Sequence, residues 1–141
     1  TTIAYDGKTL AGDRKSVWGN EPVRTRKVFR VWTPGGKILR VGFSGRCEDV
    51  VSVLFWMRHP TTTRPKPHES FSAIVVDERG RIWDIKEKLI YVRVNNKIWA
   101  IGSGADIATG AMAAGKSAAE AVRIASRFDI NTGLGVDTLR F

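Results

Sequence analysis

Hydrophobic and polar positions alternate in short runs through the first third of the chain. Residues 2–5 and 9–12 are apolar runs on either side of Asp6-Gly7-Lys8. An Asp-Gly pair in this setting predicts a hairpin, because glycine readily adopts the positive φ that the turn needs. Residues 26–32 and 37–43 alternate around Pro34-Gly35-Gly36 and predict a second hairpin. We expect both hairpins to be antiparallel and half buried.

The pattern changes to near-helical spacing in residues 48–58. The apolar positions there are Val50, Val51, Leu54, Phe55 and Met57. The helix must end near His59, since Pro60 disfavours helical backbone in the residue before it. Residues 60–69 contain three prolines and are predicted to form an exposed loop.

The second half of the chain predicts further strands and then two helices. Strand-like runs cover residues 71–76, 81–85, 89–94 and 98–101, and a last strand is expected at 136–141. Residues 102–128 are rich in Ala and Gly and are typical of two small-residue helices. Ser117 and Glu120 form a capping box for the second helix. Its buried stripe is predicted to be Ala121, Ile124, Ala125 and Phe128.

This order of elements predicts an α+β fold with two antiparallel sheets and helices packed outside them. A doubly wound parallel sheet does not fit, because strands and helices do not alternate along the chain. The 141 residues, with a mass of 15.6 kDa, are expected to form a single domain over 1–141.

Composition narrows the functional classes only a little. No stretch has the roughly 18 apolar residues of a membrane-spanning helix, so we expect no membrane partner. Cys47 is the single cysteine, which excludes an internal disulfide and favours a cytoplasmic location. The 23 Lys and Arg against 14 Asp and Glu give a net charge of +9. These cations are scattered through strand-like segments, which is typical of a solvated surface.

Residues 110–117 match the phosphate-loop pattern G-x-x-x-x-G-K-[ST], with Lys116 and Ser117 at its end. The functional loop follows a buried strand directly, whereas the residues before Gly110 look helical. We therefore interpret the pattern as a turn between two packed helices and predict no bound nucleotide.

A series of short motifs resembles one known family along nearly the whole chain. The motifs begin with Thr1-Thr2-Ile3 and Leu10-Ala11-Gly12-Asp13, continue with Gly19-Asn20, Arg26-Lys27-Val28 and Gly42-Phe43-Ser44-Gly45, and end with Ala100-Ile101-Gly102-Ser103-Gly104 and Asp129-Ile-Asn-Thr132-Gly133. In this order they are similar to the HslV-type bacterial proteasome-like proteases and the proteasome β-subunits. The resemblance implies the four-layer α-β-β-α sandwich of N-terminal-nucleophile hydrolases. One outer helix of that fold is expected to be missing, since only the proline loop separates the helix at 48–58 from the next strand.

The resemblance also implies a threonine-type endopeptidase. Thr1 would supply the hydroxyl nucleophile, and its free α-amine, exposed by removal of a Met or a propeptide, would act as the base. Lys27 would sit beside the hydroxyl and favour loss of protons from its neighbours, while Asp13 would hold Lys27. Gly45 would donate its N–H to the oxyanion of the tetrahedral intermediate.

Further roles follow from the same resemblance. Ser103, Asp129 and Thr132 would hydrogen-bond around the α-amine and orient it. The wall of a specificity pocket for small or apolar side chains would include Ser16, Thr25, Phe43, Cys47 and Val51. Arg46 departs from the family, in which a small residue follows the glycine, and is expected to crowd or charge the substrate groove.

The partners implied are a polypeptide substrate, other copies of the chain in a homo-oligomer such as a ring, and an ATP-dependent unfoldase. No cofactor and no metal are expected, and His59 and His68 are interpreted as solvated loop residues. Two alternatives stay open. One is an amidohydrolase of the same fold. The other is a catalytically silent scaffold that binds nucleic acid or an acidic protein, although Phe29 and Trp32 are predicted to point inward and so to be unavailable for base stacking.

Overall fold

The structure is a computed structural model that describes residues 1–140. Over these residues the chain forms strands β1 (Ile3–Tyr5), β2 (Thr9–Asp13), β3 (Lys15–Trp18), β4 (Glu21–Arg24), β5 (Val28–Trp32), β6 (Ile38–Ser44), β7 (Ser72–Val76), β8 (Ile82–Lys86), β9 (Val92–Val94), β10 (Trp99–Ile101) and β11 (Val136–Arg140). The helices are α1 (Cys47–Arg58), α2 (Ala105–Ala113) and α3 (Ala118–Phe128). The final strand was predicted to reach residue 141, which lies outside the described part of the chain.

Two antiparallel sheets form the centre of the molecule, as the sequence predicts. One has the strand order β10-β1-β2-β11 and the other the order β5-β6-β7-β8-β9. The two predicted hairpins are β1–β2, in which Ile3 pairs with Gly12, and β5–β6, in which Val28 pairs with Gly42. The apolar layer between the sheets contains Ile3, Tyr5, Leu10, Val28, Ile74, Val76, Ile82 and Ile101.

Helices cover the outer faces of both sheets. Val53, Leu54 and Met57 of α1 pack against the five-stranded sheet. Helices α2 and α3 cover the other sheet, where alanines allow close approach of helix and strands: Ala4, Ala11, Ala108, Ala118 and Ala121 are all buried there. Among residues 1–140 only α1 lies on its side of the sandwich. The predicted four-layer arrangement, reduced by one outer helix, is therefore confirmed.

Helix α3 begins with the predicted capping box but buries a different stripe. The hydroxyl of Ser117 accepts the Glu120 N–H at 3.2 Å. The buried residues are Ala118, Ala121, Val122 and Ala125. Phe128 was expected to complete the stripe, and this expectation is wrong, since its side chain is 75% exposed. Around the helix Phe128 lies only about 20° from the buried Ala121, but it is the last residue of α3, so its exposure reflects its place at the helix end.

Trp32 is a second incorrect prediction. It is 60% exposed, because it is the last residue of β5, which is an edge strand of the five-stranded sheet. The hairpin of β3 and β4 was not predicted at all. It forms a separate two-stranded sheet with Lys15 opposite Arg24, and its half-buried and exposed residues lack the alternation that marks the buried strands.

Residues 1–140 contain no helix with the length and apolar character needed to cross a membrane. The phosphate-loop pattern covers the last turn of α2, residues 110–113, and the predicted turn between α2 and α3. The start of α3 is occupied by the protein's own groups, since the Asp6 carboxylate accepts the Ala118 N–H at 2.8 Å.

Candidate active site

The hydroxyl of Thr1 lies against a buried lysine. Thr1 precedes β1 and Lys27 precedes β5, and packing of the two sheets against each other brings the starts of these strands together. The Lys27 ammonium donates to Thr1 Oγ1 at 2.8 Å and to Asp13 Oδ1 at 3.0 Å. Lys27 is only 6% exposed and Asp13 only 1%. The hydroxyl therefore faces a positive charge that is shielded from bulk water.

Asp13, the last residue of β2, has its carboxylate fully engaged. Besides the ammonium, it accepts backbone N–H groups from Thr2 at 2.9 Å, Lys15 at 3.1 Å and Gly133 at 3.0 Å. Burying a carboxylate is costly unless it is paired and hydrogen-bonded, and here both conditions hold. The ion pair is thus fixed in position by the main chain of three separate segments.

The surroundings of Lys27 match a protonated amine. Its third acceptor is the carbonyl of Lys15, so three N–H bonds meet three acceptors. Burial lowers the pKa of Lys27, and the neighbouring Asp13 carboxylate counteracts this only in part. We call Asp13, Lys15 and Lys27 the hydroxyl arm.

A different set of residues holds the α-amine of Thr1. It donates to Ser103 Oγ at 3.1 Å and to the Asn131 carbonyl at 2.6 Å. Burial, and then the positive charge of Lys27, lower the pKa of this amine from its usual 8.0. A neutral amine has two N–H groups, and both find acceptors here, which leaves its lone pair available for a proton.

Ser103, Asp129, Asn131 and Thr132 form what we call the amine arm. Asp129 Oδ2 accepts the hydroxyl of Ser103 at 2.6 Å and that of Thr132 at 2.5 Å. Burial raises the pKa of Asp129, but the hydrogen bonds from Ser103 and Thr132 outweigh it, so the net shift is downward. Thr132 also contacts Thr2 Oγ1 at 2.7 Å, which ties this arm to β1.

Two glycines leave room that a side chain would fill. Gly102 has φ of +96°, and a Cβ there would lie 2.2 Å from the Thr1 carbonyl oxygen. Gly45 has φ of +135°, and a Cβ would lie 3.1 Å from Phe71 Cα. Both positions combine a left-handed backbone with close approach, so any other residue would be strained.

Two cavities meet at Thr1. The first, of about 300 Å³, is mainly apolar and is lined by Phe29, Phe43, Val50, Val51 and Leu54, together with Thr1, Ser16, Trp18, Thr25, Arg26, Lys27, Gly45 and Cys47. All five predicted pocket residues belong to this wall. We call it the apolar cavity.

The second cavity, of about 370 Å³, shares Thr1, Ser16, Trp18, Gly45 and Cys47 with the first. Its other lining residues are Lys15, Val17, Arg46, Glu48, Ser70 and Asn131. We call it the charged cavity. Because Gly45 borders both cavities, a carbonyl group bound at Thr1 would lie close to the glycine that was predicted to donate to the oxyanion.

The structure thus gathers all the predicted catalytic and pocket residues around Thr1, although their chemical roles stay predictions. The two histidines lie outside both cavities. His59 packs on the Phe55 ring at 4.6 Å, and His68 contacts the Ser70 hydroxyl at 2.9 Å. No group of three or more His, Cys, Asp or Glu within residues 1–140 is placed to hold a metal ion.

Sequence reasoning missed three contributors. Lys15 and Asn131 act through main-chain carbonyls, which every residue type possesses, so their side chains gave no signal. Trp18 lines both cavities from the tip of the β3–β4 hairpin and is 58% exposed. An isolated tryptophan next to Gly19-Asn20 at a turn was the only clue to it.

No protein-family model matches this sequence, and no curated protein matches it either. Similarity appears at the level of structure. BPH from Thiobacillus denitrificans, also solved in complex with epoxomicin, aligns over 100% of this chain and 97% of its own with a TM-score of 0.76 and 18% identity.

Two Anbu structures align as well. Anbu, the ancestral β-subunit, from Yersinia bercovieri gives a TM-score of 0.78 at 14% identity and is covered over 81% of its length. The Anbu complex from Pseudomonas aeruginosa, solved as a helical assembly, gives 0.73 at 13% identity, also with 81% of that chain covered. Both alignments span 100% of this chain. The chain therefore has the proteasome-like fold of Anbu and BPH, and these alignments do not single out HslV.

Proposed function

We propose that this protein is a threonine-type peptidase that cleaves peptide bonds with Thr1 as the nucleophile. The observation that carries the proposal is the placement of Thr1 between two arms. Its hydroxyl lies 2.8 Å from the Lys27 ammonium, while its amine is held by Ser103 and Asn131. A hydroxyl with a cation on one side and a base of lowered pKa on the same residue is an activated nucleophile.

In the first half of the reaction, Thr1 Oγ1 attacks the carbonyl carbon and the hydroxyl proton passes to the neutral α-amine. Lys27 stays protonated and stabilises the developing negative charge on Oγ1. The carbonyl oxygen becomes an oxyanion that accepts the Gly45 N–H, a contact typically worth about 3 kcal/mol. The C–N bond then breaks, the departing nitrogen takes the proton from the α-ammonium, and an ester to Thr1 remains.

In the second half, water attacks the ester carbon and gives a proton to the α-amine. The C–O bond to Thr1 breaks, and the proton returns to Oγ1 as the carboxylic product leaves. The amine thus accepts and donates one proton in each half. The amine arm fixes the orientation of the α-amine, so that its lone pair can accept the proton in both halves of the reaction.

The apolar cavity would receive the side chain that precedes the scissile bond. At about 300 Å³, and lined by aromatic and branched aliphatic side chains, it suits an apolar residue such as leucine. Burial of such a side chain supplies about 2 kcal/mol of binding. This preference extends the small or apolar specificity predicted from the sequence.

The solved relatives support the proposal to different degrees. The complex of BPH with epoxomicin shows a protein of this fold binding that compound. The helical assembly of Anbu shows one that forms a multi-subunit complex, in keeping with the predicted self-association of this chain. A ring and an HslV-like unfoldase partner are further parts of the proposal that rest on the sequence resemblance alone, and a cytoplasmic location rests on the single cysteine, Cys47.

The test uses a peptide epoxyketone with leucine next to its ketone. This reagent has two electrophilic carbons, so a residue that offers both a hydroxyl and a free amine can close a ring with it. The protein is prepared with Thr1 first, which intact mass verifies. We expect one adduct, located on Thr1 by fragmentation, and Thr1-dependent hydrolysis of a peptide library. Thr1→Ala should abolish both, whereas Thr61→Ala, a threonine in the exposed proline loop, should retain both.

A second preparation carries one extra residue before Thr1. Because its amine is then an amide, adduct formation and hydrolysis should both be lost. Hydrolysis that survives this change would refute the α-amine as base. If small amides are hydrolysed and no peptide is cleaved, the amidohydrolase alternative is correct. Absence of any adduct or hydrolysis would favour the silent scaffold.

A further inference from the structure

The two cavities that meet at Thr1 differ in the polarity of their walls, and Arg46 contributes to the difference. The apolar cavity adds mainly aromatic and aliphatic side chains to the shared residues, together with the cations Arg26 and Lys27, of which Lys27 is paired with Asp13. The charged cavity adds Lys15, Arg46 and Glu48. Two cations and one carboxylate give this side of Thr1 a positive excess. The site therefore offers a mainly apolar cavity and an adjoining, more polar cavity to neighbouring side chains of a bound peptide.

The guanidinium of Arg46 is available for a ligand. Arg46 is exposed and directly precedes α1, and its side chain makes no capping bond to that helix. Its carbonyl accepts the Val50 N–H at 3.1 Å, so its main chain is fixed while the side chain extends beside Gly45. Within residues 1–140 no salt bridge joins Arg46 to a carboxylate, including the nearby Glu48.

Lys15 provides a second positive charge whose position is fixed. Its ammonium donates to the Ile130 carbonyl at 2.5 Å, which holds it on the wall of the charged cavity. A carboxylate that enters the cavity would meet this ammonium and the planar fork of Arg46. An arginine can bind both oxygens of a carboxylate at once, which gives geometric selectivity as well as attraction.

An extended peptide turns successive side chains to opposite faces. If the residue before the scissile bond fills the apolar cavity, the next side chain turns away from that cavity and can enter the charged cavity, which adjoins it at Thr1 and Gly45. We infer that this site selects peptides with Asp or Glu as the first residue after the scissile bond, and that Arg46 determines this selectivity. The inference rests on the proposed peptidase function.

The test compares two peptides that are identical except for Glu or Gln after a central Leu, with the cleavage position read by mass spectrometry. We expect kcat/KM to be about fivefold higher for the Glu peptide, in line with a partly exposed charge pair. The preference should shrink as ionic strength rises, because salt screens the pair. Arg46→Gln should bring the ratio close to one, and Arg46→Glu should favour a Lys peptide.

Arg58→Gln is the matched control. Arg58 is exposed at the opposite end of α1 and lines neither cavity, so this variant changes the net charge equally and should keep the Glu preference. Equal rates for the two peptides, cleavage elsewhere, or a preference that persists in Arg46→Gln would overturn the inference while leaving Thr1-dependent hydrolysis intact. If no peptide is cleaved and no epoxyketone adduct forms, both this inference and the peptidase proposal are refuted.

Discussion

The hydroxyl arm and the amine arm hold the same residue, Thr1, by different physical means. Asp13 and Lys27 of the hydroxyl arm are almost fully buried and form an ion pair with N···O of 3.0 Å. In the amine arm Ser103 is exposed and Asp129 only half buried, and the two side chains are joined by a hydrogen bond of 2.6 Å. Removing one partner of a buried ion pair leaves the other charge buried and unpaired, which is costly. At an exposed site, water can take the place of the lost partner. Substitutions in the hydroxyl arm should therefore destabilise the protein more than substitutions in the amine arm.

The largest effect is expected for Lys27→Met. The change removes the cation beside Oγ1 and leaves the Asp13 carboxylate buried with only its backbone donors. We expect kcat to fall about a thousandfold, as for loss of a preorganised electrostatic partner, and the free energy of unfolding to drop by about 3 kcal/mol. Lys88→Met, at an exposed position, is the control for loss of one charge. Peptide hydrolysis and denaturant unfolding measure the two effects, and a fully stable, active Lys27→Met would remove the hydroxyl arm from the mechanism.

A smaller effect is expected for Asp129→Asn. The amide oxygen can still accept both hydroxyls, but it carries no negative charge, and the NH2 group cannot accept the Asn131 N–H that Oδ1 accepts. The α-amine is therefore held less firmly. We expect kcat to fall about thirtyfold, while the free energy of unfolding changes by only about 1 kcal/mol. Glu69→Gln in the exposed loop is the neutral control. If Asp129→Asn destabilises the protein as much as Lys27→Met does, the two arms do not differ as the burial indicates.

The pH dependence of kcat/KM should report the amine directly. The α-amine accepts a proton only when neutral, so activity should rise with pH through its pKa, which burial and Lys27 hold below 8.0. The negative charge of Asp129 raises this pKa. Asp129→Asn should therefore move the rising limb to lower pH, whereas Glu69→Gln should leave it in place. A shift to higher pH would contradict the assignment of the amine as base.

The smallest effect is expected at the phosphate-loop pattern. Lys116 lies 3.9 Å from Glu120 in a pair that is 52% exposed on both sides, so Lys116→Ala should change the free energy of unfolding by less than about 0.5 kcal/mol. Hydrolysis should be unaffected, and calorimetry should detect no binding of ATP to either form. Binding of ATP that Lys116→Ala abolishes would show that residues 110–117 act as a nucleotide site after all.

Much of the fold could be predicted because burial imposes periodic patterns. Strands β5 and β6 have one face toward α1 and the other toward the second sheet, and their alternation and Pro34-Gly35-Gly36 turn are visible in the sequence. The β3–β4 hairpin buries little and so leaves no such pattern. Phe128 was misplaced because hydrophobicity alone does not show where along α3 the contact with the sheet ends.

The site residues were found by resemblance, and the structure explains why spacing alone could not find them. Asp13, Lys27, Ser103 and Asp129 are far apart in sequence and meet only at Thr1. By contrast, residues 110–117 match a contiguous motif letter for letter yet form the last turn of α2 and an ordinary helix–helix turn. A short contiguous pattern constrains only local backbone, whereas a set of dispersed residues in a fixed order constrains a whole fold.

The sequence by itself determined most of the element types, the β1–β2 and β5–β6 hairpins and the capping box at Ser117, because each depends on local conformation. The resemblance to a known family indicated the catalytic candidates around Thr1. Only the tertiary structure decided which groups activate Thr1 and what surrounds it. The carbonyls of Lys15 and Asn131, the burial of Lys27 and the contrast between the two cavities all arise when distant segments pack together. Packing determines how far each charged group is removed from water. This desolvation shifts the pKa of the group and strengthens its electrostatic interactions.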